Sequence, residues 1–250
     1  MLFDLDGTLY IEDTLIGDIK GTLNHLRNKG VKVVYLTNNS SKTITQYKDK
    51  LEKLGIYNDS DIIYSSLDAS IDYLNDNFNG CLVYPVCTNK VKEYLVNKGI
   101  KVSENADIVL LCFDRELNYE KLVKANYLIV KGAKYFATHP DITCPAKEVF
   151  EPDTGSFIKL LEASSNRLPD IIIGKPNTVM GEYLIKRLSV SPNEVLMVGD
   201  RLHTDIAFGV NNNFETALVM SGETDEKILK ASNIKPSIVL QDANCLKHLI

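Results

Sequence analysis

Leu2-Phe3-Asp4-Leu5-Asp6-Gly7-Thr8-Leu9-Tyr10 opens the chain with a short apolar run that ends on two aspartates and a glycine. The apolar residues read as a buried strand, with Asp4 and Asp6 at and just past its C-terminal end. Gly7 lets the backbone bend away and approach a ligand closely. Taken alone, Asp-x-Asp-Gly-Thr also fits a strand followed by an Asp-Gly turn. The fold is decided by whether other segments end in the same way.

They do. Ile16, Ile19, Leu23 and Leu26 recur at helical spacing, and Gly30 reads as the stop. Val31–Leu36 is then a nearly continuous apolar strand ending on Thr37-Asn38-Asn39. Ile44, Tyr47, Leu51 and Leu54 form a helical stripe closed by Gly55, followed by a strand at Asp61–Tyr64 and a helix at Leu67–Asn77. Late in the chain, Asp170–Ile173 reads as a strand ending on Gly174-Lys175-Pro176, and Val179–Leu188 as a helix. Glu194–Val198 reads as a strand ending on Gly199-Asp200-Arg201, with Asp205 close behind. Strands at Thr216–Met220 and Ser237–Leu240 complete the series. Apolar strands alternating with amphipathic helices predict a parallel sheet covered on both faces.

The middle of the chain differs. Gly80–Val86 and Ile108–Phe113 read as strands, each with a helical stretch behind it, and Lys134–Thr138 as a further strand. The stretch to Pro152 is broken by Pro140 and Pro145. This predicts an inserted domain at 79–168 within a discontinuous core of 1–78 plus 169–250.

Composition narrows the class. The chain has 250 residues, 44% hydrophobic and 24% charged, enough for one large or two modest domains and too apolar for disorder. No apolar run approaches the ~18–20 residues of a membrane span. The first residues lack a basic stretch and an apolar stretch, so a secretory signal is not expected. A net charge of −5 speaks against a basic nucleic-acid face. The five cysteines, 81, 87, 112, 144 and 245, are odd in number and scattered, and fit reduced thiols in a cytoplasmic protein. The expectation is therefore a cytoplasmic protein with no nucleic-acid or membrane partner.

In an open parallel sheet the ligand crevice lies outside the C-terminal strand ends. Asp4, Asp6, Thr37, Asn38, Lys175, Asp200 and Asp205 would meet there. Crowded carboxylates repel, and a divalent cation relieves them; an all-oxygen set suits Mg²⁺. The ion also turns an acidic pocket into one that accepts phosphate, and Lys175, Thr37 and Asn38 add a charge and donors. No Ser-His or Cys-His pairing stands at these ends. A carboxylate that attacks phosphorus is the remaining nucleophile. Asp4, nearest the strand end, takes that role. Asp6 takes that of general acid, then base.

Asp4-Leu5-Asp6-Gly7-Thr8, Thr37-Asn38-Asn39, Gly174-Lys175-Pro176-Asn177 and Gly199-Asp200-Arg201-Leu202-His203-Thr204-Asp205 together resemble the haloacid dehalogenase-like superfamily. More narrowly they resemble its class IIA, NagD-like p-nitrophenyl phosphatase branch. Phe113-Asp114-Arg115, Ala137-Thr138-His139-Pro140-Asp141 and Pro152-Asp153-Thr154-Gly155-Ser156 extend the likeness through the middle. The resemblance implies a Rossmann-like α/β core with an inserted α/β C2-type cap domain that closes over the leaving group. It implies Mg²⁺ held by Asp4, Asp6 through its carbonyl and Asp200, with Asp205 as a further ligand or as support behind the ligands. Phosphate would be held by Thr37, Asn38 and its neighbour Asn39, and neutralised by Lys175. The chain departs from the branch at His139, where Asn is frequent, at Asp153 in place of a usual Gly, and at Asn213.

His139, Asp141 and Thr143 lie on the proline-broken loop and are the candidate specificity residues. His25, His203 and His248 read as surface or loop-shaping residues. The expected activity is Mg²⁺-dependent hydrolysis of phosphate monoesters of small metabolites through an aspartyl-phosphate on Asp4. Sugar phosphates, nucleoside monophosphates, pyridoxal phosphate and p-nitrophenyl phosphate are the candidate substrates. The alternatives are a phosphoacceptor switch and a catalytically silent binding module on the same scaffold. Monomer and homodimer both remain open.

Overall fold

The computed structural model describes residues 1–145 and 149–249. The chain divides into two compact units, one of 1–37, 44–64 and 175–250, the other of 38–43 and 65–174.

The first unit is built on a six-stranded sheet. Its order is Ile238–Leu240, Glu215–Val219, Leu196–Gly199, Leu2–Phe3, Val34–Thr37, Ile62–Ser65. The pairings from Val34–Thr37 out to Ile238–Leu240 are all parallel. Helices Ile19–Asn28 and Ile44–Lys53 follow the expected stripes, and Ile19, Leu23, Leu26, Tyr47 and Leu51 are buried against Phe3, Tyr35 and Val198. Asp18 caps the first of these helices by accepting from the Gly21 N–H, and Gly30 ends it with φ +80°. Asp4, Thr37 and Asp200 stand at the C-terminal ends of three neighbouring strands, which aims these functional groups at one edge.

The second unit has its own five-stranded parallel sheet, in the order Ile171–Ile172, Lys134–Ala137, Ile108–Leu111, Leu82–Val86, Lys101–Val102. The run at Asp170–Ile173, expected in the core sheet, belongs here. Ile171 and Ile172 pair with Phe136 and Ala137, and Asp170 Oδ2 accepts from the Tyr135 N–H at 2.8 Å. A two-residue, half-buried edge strand carries no pattern that tells one sheet from another. Helix Ser66–Asn77 also belongs to this unit, because Leu67, Ile71 and Leu74 pack on Val83, Ile108 and Phe136. The limits set by contact, 65 and 174, thus differ from the expected 79 and 168.

Helix Thr154–Ser165 lies where no helix was expected. Asp153 caps it, and Phe157, Ile158 and Leu161 bury its inner face. The hairpin of Tyr10–Ile11 and Thr14–Leu15 and the helix Glu226–Ala231 are likewise additions to the sequence reading. All five cysteines are free thiols. Among the described residues no helix is long and apolar enough to cross a membrane.

Candidate active site

Three adjacent strands of the first unit end side by side at one edge of its sheet. Leu2–Phe3 delivers Asp4, Val34–Thr37 delivers Thr37, and Leu196–Gly199 delivers Asp200. The Asp4 N–H donates to the Val198 carbonyl at 2.9 Å, so the sheet pairing fixes the Asp4 backbone. Asp205 comes from a single turn of π-helix, Leu202–Ile206, a rare geometry that concentrates at functional sites. That turn folds back on the strand end: the Arg201 N–H donates to Asp205 Oδ2 at 3.1 Å.

Lys175 ties the group together. Its Nζ, 1% exposed, donates to Asp4 Oδ1 at 2.6 Å, to Asp205 Oδ1 at 2.7 Å and to the Leu36 carbonyl at 3.4 Å. Carboxylate oxygens of Asp4, Asp200 and Asp205 lie within 4.8 Å of one another. Burial pushes the Asp4 carboxyl well above its ordinary range, Asp205 pushes it further, and Lys175 opposes both. Burial and then Asp205 raise Asp200 to about 6. Burial works against the Lys175 ammonium, but Asp205 and Asp4 outweigh it and raise its pKa.

Three carboxylates face one ammonium in a buried pocket, so full ionisation leaves two negative charges uncompensated. An oxygen-only donor set with that excess fits a divalent cation. Asp6 stands outside the carboxylate cluster. Its side chain is 60% exposed, with Lys50 Nζ 4.0 Å from Oδ1. Lys50 also lies over the Tyr10 ring at 4.1 Å.

Asn38 and Asn39 belong to the second unit. The Asn38 amide donates to Asp141 Oδ2 at 3.1 Å, and its carbonyl accepts from Ser66 Oγ. Asn39 Oδ1 accepts from the backbone and hydroxyl of Ser41 at 3.0 and 2.7 Å, an Asx turn that shapes the segment. His139 is fully buried. Its Nδ1 lies 3.0 Å from Thr138 Oγ1 and its Nε2 2.9 Å from Asp153 Oδ1. Both ring nitrogens are thus engaged inside the unit. Asp141 is half-buried and Thr143 exposed. His203 and His248 are exposed.

Sequence reading missed the contacts that hold Asp200: Thr8 Oγ1 at 3.4 Å from Oδ1, and the Glu223 N–H donating to Oδ2 at 2.7 Å. A signal was present. Ser221-Gly222-Glu223 follows the C-terminal end of Glu215–Val219, so it too stands at a core strand end.

Known proteins place the chain in a family. The family described as haloacid dehalogenase-like hydrolase matches residues 1–101, and the HAD-hydrolase-like family matches residues 172–245. An acid sugar phosphatase from Staphylococcus haemolyticus is 31% identical over 97% of this chain and 93% of its own length. The crystal structure of 4-nitrophenylphosphatase from Thermotoga maritima superimposes with a TM-score of 0.95 at 36% identity, covering 99% of this chain and 95% of that one. NagD from Escherichia coli K-12 gives 0.89 at 27% identity, covering 97% and 96%. The chain belongs to the haloacid dehalogenase-like hydrolases and is a phosphoric monoester hydrolase of that family.

Proposed function

We propose that the protein hydrolyses phosphate monoesters of small metabolites, sugar phosphates first among them, with Mg²⁺ and through an aspartyl-phosphate on Asp4. The observation that carries this reading is the Lys175 ammonium buried between Asp4 and Asp205, with Asp200 beside them. The names of the relatives support the substrate class: acid sugar phosphatases by sequence, 4-nitrophenylphosphatase by structure. Nucleoside monophosphates and pyridoxal phosphate are further candidates of similar size and charge.

In this reading Asp4, Asp200 and Asp205 hold the metal, with Asp6 contributing its carbonyl. When bound, the metal offsets the charge of the carboxylates and of the incoming dianion, and polarises phosphoryl oxygens. Asp4 attacks phosphorus with one carboxylate oxygen. A bond forms from that oxygen to phosphorus, and the ester P–O bond breaks. Asp6 gives its proton to the departing alkoxide. In the second half Asp6 takes a proton from water, the water oxygen bonds to phosphorus, and the acyl phosphate P–O bond breaks to release phosphate and restore Asp4. Lys175 holds Asp4 oriented for attack, which lowers the entropic part of the barrier. Thr37 and the Asn38-Asn39 stretch supply donors to the phosphoryl oxygens. The inserted unit acts as the cap. Thr143 and Asp141, the more accessible of its three candidate residues, are where leaving-group preference would be read.

Asp4→Asn tests the reading. With Mg²⁺ present and p-nitrophenyl phosphate as substrate, turnover should fall by about 10⁴-fold or more, as for loss of a covalent nucleophile. Undiminished turnover would remove Asp4 from the chemistry. A long-lived phosphoprotein in the wild-type chain would instead favour a phosphoacceptor switch.

A further inference from the structure

The carboxylate of Asp200 does not hold its own place. Residues 221–223 cross the end of the first unit's sheet just past Glu215–Val219 and touch the site at two points. Ser221 Oγ donates to the Gly7 carbonyl at 2.8 Å. The Glu223 N–H donates to Asp200 Oδ2 at 2.7 Å. Between them, Gly222 lies flat against the Asp200 carboxylate; a Cβ there would overlap Oδ2. A Cβ at Gly7, whose φ is +82°, would come within 2.5 Å of the same Oδ2. The carboxylate therefore sits in a slot that exists because two neighbouring residues are glycine, with a backbone donor at Oδ2. Arg201 Nε pairs with Glu223 Oε2 at 2.9 Å and ties the segment to the residue after Asp200.

We infer that Ser221-Gly222-Glu223 is a positioning strap, which sets Asp200 in the orientation that binds the metal and locks the turn after Asp6 through the Gly7 carbonyl. The inference rests on the reading of Asp200 as a metal ligand. It adds that the ligand's orientation is supplied by a segment more than 20 residues downstream in sequence, none of whose side chains would meet the metal or substrate. Fixing a ligand by hydrogen bonds outside the coordination sphere is a general device, and loss of such a partner weakens metal binding by about 10–100-fold. The Gly7 carbonyl lies one residue beyond Asp6, so the same strap also limits the freedom of the acid–base residue.

The test is Mg²⁺ titration of the metal-free, full-length protein by calorimetry, with melting temperature and kcat recorded alongside. Gly222→Ala pushes Asp200 from its slot and should raise the Mg²⁺ dissociation constant by about tenfold or more. Ser221→Ala removes one hydrogen bond and should raise it by about fivefold. Ser221→Thr keeps the hydroxyl and should restore it. In the two Ser221 variants the melting temperature of the metal-free protein should move little, which separates positioning from a loss of fold. If Gly222→Ala does not fold, Ser221→Ala decides the matter. Wild-type Mg²⁺ affinity in both variants, while Asp200→Asn loses binding, would overturn the strap. Wild-type affinity in Asp200→Asn would overturn the metal-site reading beneath it.

Discussion

Among the described residues two clusters have the residue types of a metal site, one in each unit. In the first unit Asp4, Asp200 and Asp205 bring carboxylate oxygens within 4.8 Å, and in the second His139, Asp141 and Asp153 bring ligand atoms within the same distance. They differ in what surrounds them. Asp153 Oδ1 accepts from His139 Nε2, from the Thr154 N–H at 2.6 Å and from Thr154 Oγ1 at 3.1 Å. Asp141 accepts from Asn38, and the other His139 nitrogen meets Thr138. Donors thus satisfy the second cluster, and it caps the helix Thr154–Ser165. The first cluster has Lys175 for Asp4 and Asp205, and for Asp200 chiefly the Glu223 N–H. Spacing of ligand types is common to both. In the first, three carboxylates share one ammonium and burial raises both Asp4 and Asp200, and that crowding is what a dication answers.

The largest effect expected from this contrast is at Lys175. Lys175→Ala leaves buried carboxylates with no counter-charge and should destabilise the metal-free protein by about 3–5 kcal/mol at neutral pH in denaturant unfolding. The loss should shrink at pH 5, where Asp4 and Asp200, both raised by burial, take up protons, and shrink again when Mg²⁺ is added. A loss that ignores both pH and Mg²⁺ would mean that Lys175 contributes packing and not charge.

Next is the pH dependence of the metal-free protein. Asp200 is raised from 3.8 to about 6, chiefly by burial and then by Asp205. The folded state therefore binds more protons than the unfolded state between those values. Stability is greatest below the unfolded pKa and declines as pH rises through about 6, by up to about 3 kcal/mol for a shift of this size. Asp4 is shifted the same way and adds to the decline. Mg²⁺ should raise the melting temperature more at pH 7.5 than at pH 5. Flat stability between pH 4 and 7 would show that Lys175 already balances the cluster.

The second cluster should respond without any link to the metal. Asp153→Ala removes a helix cap and the partner of a buried imidazole, for a loss of about 2 kcal/mol. The Mg²⁺ affinity of that variant should equal that of the wild type. A coupled loss of stability and Mg²⁺ affinity would erase the distinction between the two clusters.

Much of this was legible because strands buried on both faces are apolar until they stop. Polar residues at the ends of Val31–Leu36 and Glu194–Val198 therefore stand out, and Thr37 and Asp200 do sit beside Asp4's strand. Lys175 was grouped with Asp4, and the two lie 2.6 Å apart, but the short strand before Lys175 belongs to the other sheet. Ile171 and Ile172 are apolar in a way either sheet could use. Helix Thr154–Ser165 is hidden in the sequence because prolines 140, 145 and 152 mark the approach as a loop, although Asp153 followed by Phe157 and Leu161 carries a cap and an i, i+4 face. The strap at 221–223 was invisible for another reason. Its work is done by a backbone N–H and by the absence of a side chain at Gly222, neither of which residue chemistry advertises.

The smallest effect sharpens the comparison most, because Asp141 is a candidate specificity residue and the structure gives it a second employment. Its Oδ2 accepts from the Asn38 amide at 3.1 Å, and Asn38 is also held through its carbonyl by Ser66. If Asp141 acts by steadying Asn38, Asp141→Ala loses one half-buried hydrogen bond, worth about 1 kcal/mol, or roughly a fivefold rise in KM. Asn38 is proposed to meet the phosphoryl group that every substrate shares. The rise should then be the same for a sugar phosphate and for p-nitrophenyl phosphate, and should appear equally in the inhibition constant of inorganic phosphate. If Asp141 instead touches the leaving group, the two esters should diverge and inorganic phosphate should be unaffected. Three constants measured on one variant therefore decide whether this carboxylate selects the substrate or holds the phosphate grip.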